Sequence, residues 1–226
     1  YHHSIRADYD ISIEFTGSAQ GKVDVKSNGN VIIDGAIKNA SGDTTIESEK
    51  AIYYKTSEPI ISRNITLKAK AGIGINLPVL IDLQGGALKA STTNGNIHVK
   101  EVAGPLTVEQ AISNNGNVRL EAETNITATA NANVQGNLIE LIASHGAIYG
   151  AGGLGSYIKV KSGAGSGHGV SALARNNIFL EELTDSMKII RIESLNGDVF
   201  IKVPSGSLVD GNPDDFDGNP DLLGLW

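Results

Sequence analysis

The stretch NGNVRL at residues 115–120 decides how this chain folds. A polar turn centred on glycine leads directly into a short strand in which apolar and polar residues alternate. Similar stretches are NGNVII at residues 28–33, NGNIHV at residues 94–99 and NGDVFI at residues 196–201. Gly116 follows Gly95 by 21 residues, and the other intervals are close to multiples of 20 to 22. A fixed period in this range predicts a repeat architecture.

The composition fits a repeat protein with an aliphatic interior. Hydrophobic residues make up 40% of the 226 residues, whereas aromatic residues make up only 5%. The chain contains 27 glycines, which suit tight turns, and no cysteine, which excludes disulfides and thiolate chemistry. Strand-like segments recur about every eight to twelve residues along most of the chain, so we expect an all-β protein.

The predicted fold is a single-stranded parallel β-helix, a solenoid with about 20–22 residues per coil. Many short strands are more often arranged as a sandwich or barrel, but the longer period favours the solenoid. In one coil, for example, Val118 would point inward and Arg119 outward. Ile97 and His98 of the neighbouring coil would stack over them. Nine or ten coils stacked about 4.8 Å apart would form a rod roughly 45 Å long. Asparagines at the corners can stack their side-chain amides into ladders.

The predicted solenoid covers residues 1–203, and residues 204–226 form an acidic tail that is either a C-terminal cap or a linker. Three places depart from the pattern. We expect a bulge or register shift near Gly136, where the strand at residues 138–141 is one residue out of phase. The glycine-rich residues 150–169 predict a flexible corner loop or a thin coil. The least strand-like parts, which could hold a helical turn, are residues 171–176 and 181–188.

The charge distribution excludes some classes of partner. The formal net charge is −7, from 18 basic and 25 acidic residues, and five of the aspartates lie within residues 210–221. Without them 20 acidic residues face 18 basic ones, and no basic stripe suited to nucleic acid is present. No apolar run approaches the roughly 18 to 20 residues of a membrane span. No signal peptide is visible, so we interpret the chain as part of a longer protein; a complete cytosolic protein is the alternative.

The acidic tail offers one candidate metal site. Alternating Asp and Asn residues place oxygen ligands along one loop, as calcium requires. The spacing of Asp210, Asn212 and Asp214 matches the start of an EF-hand loop. However, Asp215 occupies the position of the required glycine, and no glutamate ends the loop. A solvated acidic linker is the alternative. The candidate calcium ligands are Asp210, Asn212, Asp214, Asp215 and Asp217.

No pattern of catalytic residues stands out, and we predict that the chain is not an enzyme. The five histidines show no metal-ligand spacing, and His98 falls at an outward strand position. The five arginines are scattered along the chain rather than clustered. Neighbouring carboxylates such as Glu121 with Glu123, and Glu181 with Glu182, are typical of a soluble outer face.

The Gly-Asn-Val/Ile strand starts, the spacing of about 20 residues and the absence of cysteine resemble filamentous haemagglutinin-type repeats, over roughly residues 5–203. Such repeats occur in large bacterial exoproteins, many of which are exported through the outer membrane by a partner transporter. The resemblance implies a right-handed parallel β-helix that serves as an adhesin shaft, and it supplies no catalytic residues. This chain departs from the family in its short length and its Asp-rich end.

The expected function is therefore that of a structural or adhesive segment of a secreted or cell-surface bacterial protein. Its partners would be a host or neighbouring-cell surface, a glycan or matrix. No cofactor is expected apart from the candidate calcium ion of the acidic tail. Two alternatives stay open: a polysaccharide-binding or polysaccharide-degrading β-helix, and a subunit of an extracellular filament that self-associates through its ends.

Overall fold

A computed structural model of the protein describes residues 10–16 and 20–212. These residues form an all-β solenoid of about nine turns without a helix, which confirms the predicted parallel β-helix. Every pairing between the strands of this part of the chain is parallel. The strands are β1 (Ile11–Thr16), β2 (Lys22–Ser27), β3 (Val31–Ser48), β4 (Ala51–Tyr54), β5 (Ile60–Ala69), β6 (Gly72–Ile75), β7 (Val79–Leu83), β8 (Leu88–Thr92), β9 (Ile97–Glu101), β10 (Leu106–Ser113), β11 (Val118–Ala122), β12 (Ile126–Gly136), β13 (Leu138–Ala143), β14 (Ile158–Ser162), β15 (Gly169–Ala174), β16 (Ile178–Glu182), β17 (Met187–Ser194), β18 (Val199–Lys202) and β19 (Leu208–Asp210).

The register between coils follows the sequence period. Val118 pairs with Ile97 in the preceding coil and with Ile139 in the following one. Arg119 pairs with His98 in the same way, so the predicted outward stack is confirmed. The side chain of Val118 is fully buried, because alternate residues of a strand point to opposite faces. The wall bonds to itself, as when the Ile97 amide donates to the Asn117 carbonyl at 2.8 Å.

The interior is a continuous column of aliphatic side chains. Ile65 and Leu88 are in register and fully buried, and Val108 continues the same column. Along a parallel column Leu67 is followed by Ala90, so large and small side chains share the interior. Each fully buried aliphatic side chain contributes about 1.5–3 kcal/mol through removal from water. The interior therefore holds neighbouring coils together along the length of the described solenoid.

Polar side chains close the corners where one wall turns into the next. The Ser113 hydroxyl lies inside a corner and donates to the Gly95 carbonyl at 2.7 Å. On the outside, the Asn115 side-chain amide donates to the Asn94 side-chain oxygen in the preceding coil at 2.8 Å. The predicted stacking of asparagine amides is thus confirmed at this corner. The Ser113 bond satisfies a backbone carbonyl of the turn, and the Asn115 bond links the side chains of neighbouring coils.

The register shift predicted near Gly136 is wrong. β11 and β13 pair without interruption from Val118 with Ile139 to Ala122 with Ala143. The period of 21 residues places Ile139 over Val118, and Leu138 takes a partly exposed place just after the corner. Register shifts occur elsewhere, for example between Val108 and Gln110, where β10 pairs with both β8 and β12.

The other segments that were expected to depart from the repeat contain strands. The glycine-rich residues 150–169 contain β14 between two loops, and its inward side chains are buried, so this is a coil with long corners. Residues 171–176 and 181–188 contain no helical turn; residues 171–174, 181–182 and 187–188 belong to β15, β16 and β17. Parallel pairing also continues past residue 203, because β19 pairs with β17 from Met187 with Leu208 to Ile189 with Asp210.

Candidate functional site

The most distinctive feature of the outer wall is a bulge at the end of β6. The pairing of β4 with β6 shifts by one residue, so that Tyr53 pairs with Ile75 rather than with Gly74. Gly74 has φ 71°, and a Cβ atom there would overlap the carbonyl oxygen of His98. Asn76 also has a positive φ, of 75°, which asparagine tolerates better than most residues. Gly74, Ile75 and Asn76 therefore form a bulge, and they line one recess together with residues of the coils that follow.

A recess of about 450 Å³ with a mixed polar and apolar lining lies beside this bulge. Its volume falls within the range of about 300–1,000 Å³ that is typical of small-molecule sites. Three successive coils contribute outward side chains at one register position, and the neighbouring corner contributes asparagines. The polar side chains that line the recess are those of Asn76, Asn96, His98, Asn117, Arg119 and Glu140.

A network of hydrogen-bonded ion pairs fixes the floor of this recess. Glu121 Oε1 accepts from Arg119 Nε at 2.8 Å and lies 2.8 Å from His98 Nε2. Arg119 Nη1 donates to Glu140 Oε1 at 3.3 Å. Since these groups lie on β9, β11 and β13, the network joins three coils across the ladder direction. The parallel register alone brings them together.

The electrostatics of the network favour its charged form. Burial tends to raise the pKa of Glu121, but the hydrogen bonds from Arg119 and His98 outweigh it and hold that pKa below its ordinary value of 4.5. The hydrogen bond to Glu121 correspondingly raises the pKa of Arg119. The guanidinium group is therefore a permanent cation clamped between two carboxylates.

The asparagines of the recess are fixed by the backbone of the next coil. Asn96 Oδ1 accepts from the Asn117 amide at 2.9 Å, and Asn117 Oδ1 accepts from the Leu138 amide at 3.2 Å. Each side chain therefore uses its oxygen in the corner ladder and keeps its Nδ2 group available. Asn96 and Asn117 line the recess together with Arg119.

Two glutamates are buried inside the corners, which is unusual for a carboxylate. Glu101 is fully buried; its Oε2 accepts from the Leu83 amide at 2.9 Å, and its Oε1 accepts from the Ala103 and Gly104 amides at 3.1 and 3.2 Å. Glu182 accepts from the Ser162 hydroxyl at 2.8 Å. Burial raises the pKa of both carboxyls, although the amide donors oppose the shift. The prediction that Glu182 belongs to a soluble outer face is wrong, because β16 turns it inward.

An aromatic stack lies on the wall near the C-terminal end of the described solenoid. Phe179 and Phe200 are in register and stack with ring centroids 4.6 Å apart, and Tyr157 meets Phe179 edge-on at 5.9 Å. Lys202 lies over the Tyr157 ring at 5.9 Å. Phe179 is almost fully covered by its neighbours, so this stack acts as packing between coils.

The predicted calcium ligands are only partly described. Asp210 ends β19, and its Oδ1 accepts from the Asn212 backbone amide at 2.9 Å, which is a local turn. Asp214, Asp215 and Asp217 lie outside the described residues. Within residues 10–16 and 20–212 no group of three or more His, Asp or Glu side chains is arranged to hold a metal ion. Calcium binding by the tail stays a prediction.

Comparisons with protein-family models, with curated proteins and with solved structures found no match for this chain. In the part of the chain that the structure describes, no helix is long and apolar enough to cross a membrane.

The sequence analysis missed the buried Glu101 and the bulge in β6, although the sequence contained a signal for each. Strict alternation along β9 places Glu101 at the same inward parity as Ile97. The sequence GIGI at residues 72–75 contains two glycines within a strand, which often marks a bulge. Neither signal says how the freed groups are used, because that depends on which coil lies next to them.

Proposed function

We propose that this chain is a stiff, non-catalytic rod segment of a bacterial protein that acts at the cell surface or outside the cell. It resembles filamentous haemagglutinin-type repeats, and its role is to hold binding surfaces against a host or neighbouring-cell surface. The observation that carries the proposal is the unbroken aliphatic column shared by about nine turns of parallel ladder. Each coil packs only on its neighbours, as in other solenoids, which gives an elongated shape suited to a spacer.

The outer wall supports this passive role. Its charges pair between coils, as in Arg63 with Asp43 at 3.2 Å and Lys89 with Glu109 at 2.9 Å. Such exposed pairs contribute at most about 1 kcal/mol each. Their interspersed signs keep the wall soluble and create no large field of one sign that would attract nucleic acid.

The environments of the carboxyl groups argue against glycoside hydrolysis. That reaction needs a carboxylic acid with a raised pKa that faces the substrate, usually paired with a second carboxylate. The two described glutamates with raised pKa, Glu101 and Glu182, are closed inside corners. Next to the recess the pKa of Glu121 is lowered, so this group stays ionised and bonded to Arg119.

Small-angle scattering of the purified 226-residue chain tests the shape. We expect an elongated particle of constant cross-section, with a length of roughly 45 Å for nine turns spaced 4.8 Å apart. Beads coated with the chain should then adhere to cells or matrix. A reducing-end assay on a panel of polysaccharides tests the catalytic alternative, and steady release of reducing ends would overturn the non-catalytic assignment.

A further inference from the structure

We infer that the recess formed by Asn96, Asn117, Arg119 and Glu140 beneath the β6 bulge is a binding site for a neutral saccharide. This inference rests on the proposed adhesive role and gives that role a specific surface and partner class. The first support is the set of unused donors. In the described part of the chain, Asn96 Nδ2, Asn117 Nδ2 and Arg119 Nη2 have no hydrogen-bond partner.

The recess offers acceptors beside these donors. Glu140 lines the recess and uses Oε1 for Arg119, and its Oε2 has no hydrogen-bond partner among the described residues. A sugar hydroxyl both donates and accepts hydrogen bonds, so a polyhydroxylated ring can satisfy both kinds of group at once. A ligand with acceptors alone, such as an inorganic anion, would leave the Glu140 oxygen facing a like charge.

The charge balance favours a neutral ligand. The cation of Arg119 is opposed by the carboxylates of Glu121 and Glu140, and His98 adds charge only when protonated. An acidic sugar would meet a net negative surface. Uncharged hydroxyl groups avoid this penalty.

The shape of the recess fits a sugar ring. Ile75 lies in the bulge, is partly exposed and lines the recess, so it provides an aliphatic surface for the apolar face of a ring. The volume of about 450 Å³ accommodates roughly one or two pyranose rings. The coil ladder fixes both asparagines and the ion pairs fix Arg119, so binding orders few side chains.

A matched pair of variants tests the site. Asn117→Asp keeps the oxygen that accepts the Leu138 amide and removes the Nδ2 donor of the recess. Asn125→Asp is the control, because Asn125 Oδ1 accepts the Ala147 amide at 2.8 Å in the same ladder role but lies outside the recess. The probes are lactose, cellobiose, chitobiose and mannobiose, measured by saturation-transfer NMR and calorimetry on the 226-residue chain.

We expect at least one neutral disaccharide to bind, Asn117→Asp to weaken binding about tenfold, and Asn125→Asp to bind as the parent chain does. Arg119→Gln should weaken binding as well, whereas Arg63→Gln, on an exposed ion pair outside the recess, should not. Absence of binding to all four probes, equal affinity in the two Asn→Asp variants, or binding of acidic sugars alone would overturn the inference. Scattering on the same samples keeps the rod proposal separate, since loss of sugar binding leaves the particle shape unchanged.

Discussion

Replacing Glu101 with alanine should destabilise the solenoid by about 3–5 kcal/mol, because three backbone amides lose their acceptor. Glu101 occupies an inward position in register with Ile81 and Ala122, and its side chain is fully buried. A charged residue at an aliphatic position would normally be unfavourable. Here its carboxylate accepts hydrogen bonds from backbone amides of β7 and of the turn after β9, and the alanine variant loses these bonds.

The magnitude follows from three backbone amides. The Leu83, Ala103 and Gly104 amides donate to the Glu101 carboxylate at 2.9–3.2 Å. Each buried donor left without an acceptor costs about 1–3 kcal/mol. Two effects lower the sum: the desolvation cost of the carboxylate is released, and water can reach part of the corner. Glu101→Gln keeps one oxygen acceptor, so we expect a smaller loss of about 1–2 kcal/mol.

The pH dependence gives an independent signature. Burial raises the folded-state pKa of Glu101 above its ordinary value of 4.5. The stabilisation linked to this shift is fully present below pH 4.5 and is lost as the pH rises through the folded-state pKa. Glu101→Gln has no such ionisation. The stability difference between the parent chain and Glu101→Gln should therefore be larger at pH 4 than at pH 8.

Urea unfolding followed by far-ultraviolet circular dichroism measures these differences. Glu109→Ala is the matched control, because Glu109 is half-exposed and pairs with Lys89 on the outer wall. We expect it to change stability by less than about 1 kcal/mol. Hydrogen exchange should show that the amides of Leu83 and Gly104 lose protection in Glu101→Ala alone. Equal destabilisation by Glu101→Ala and Glu109→Ala would refute the proposed role of the buried carboxylate.

Three further outcomes are expected. Gly95→Ala should destabilise the chain by more than about 2 kcal/mol in urea, because its Cβ atom would overlap the Ala71 carbonyl oxygen, whereas Gly104→Ala, which meets open space, should be nearly neutral. Leu67→Ala should cost about 2–5 kcal/mol, since Leu67 is fully buried in the aliphatic column, and a loss below 1 kcal/mol would contradict that placement. The pKa of Glu121 is lowered in the fold, so its stabilisation is present above pH 4.5 and is lost on acidification through the folded-state pKa. Glu121→Gln should lack that acid-dependent loss, and titration of the two chains from pH 7 to 3 checks it.

Much of the fold could be predicted because the repeat period determines which residues stack between coils. A period of 21 residues places Val118 over Ile97, and alternation then assigns the inner and outer face of every residue in those strands. The corner hydroxyls carried a second signal that the interpretation left unused. Ser113 precedes Gly116 by three residues, as Thr92 precedes Gly95, and both hydroxyls donate to the Gly95 carbonyl inside the corner.

The recess was harder to predict because it arises where the period fails. Gly74 adds one residue to β6 where it pairs with β4, and the bulged segment lines a recess with His98 and Arg119. A sequence reveals the two glycines but not which backbone group the bulge meets; in the structure Gly74 lies so close to the His98 carbonyl of the next coil that a Cβ atom would overlap it. Regular coils need only a repeated pattern, whereas a binding surface needs a departure from it. In a solenoid the breaks in register are therefore the positions where sequence analysis should search first for function.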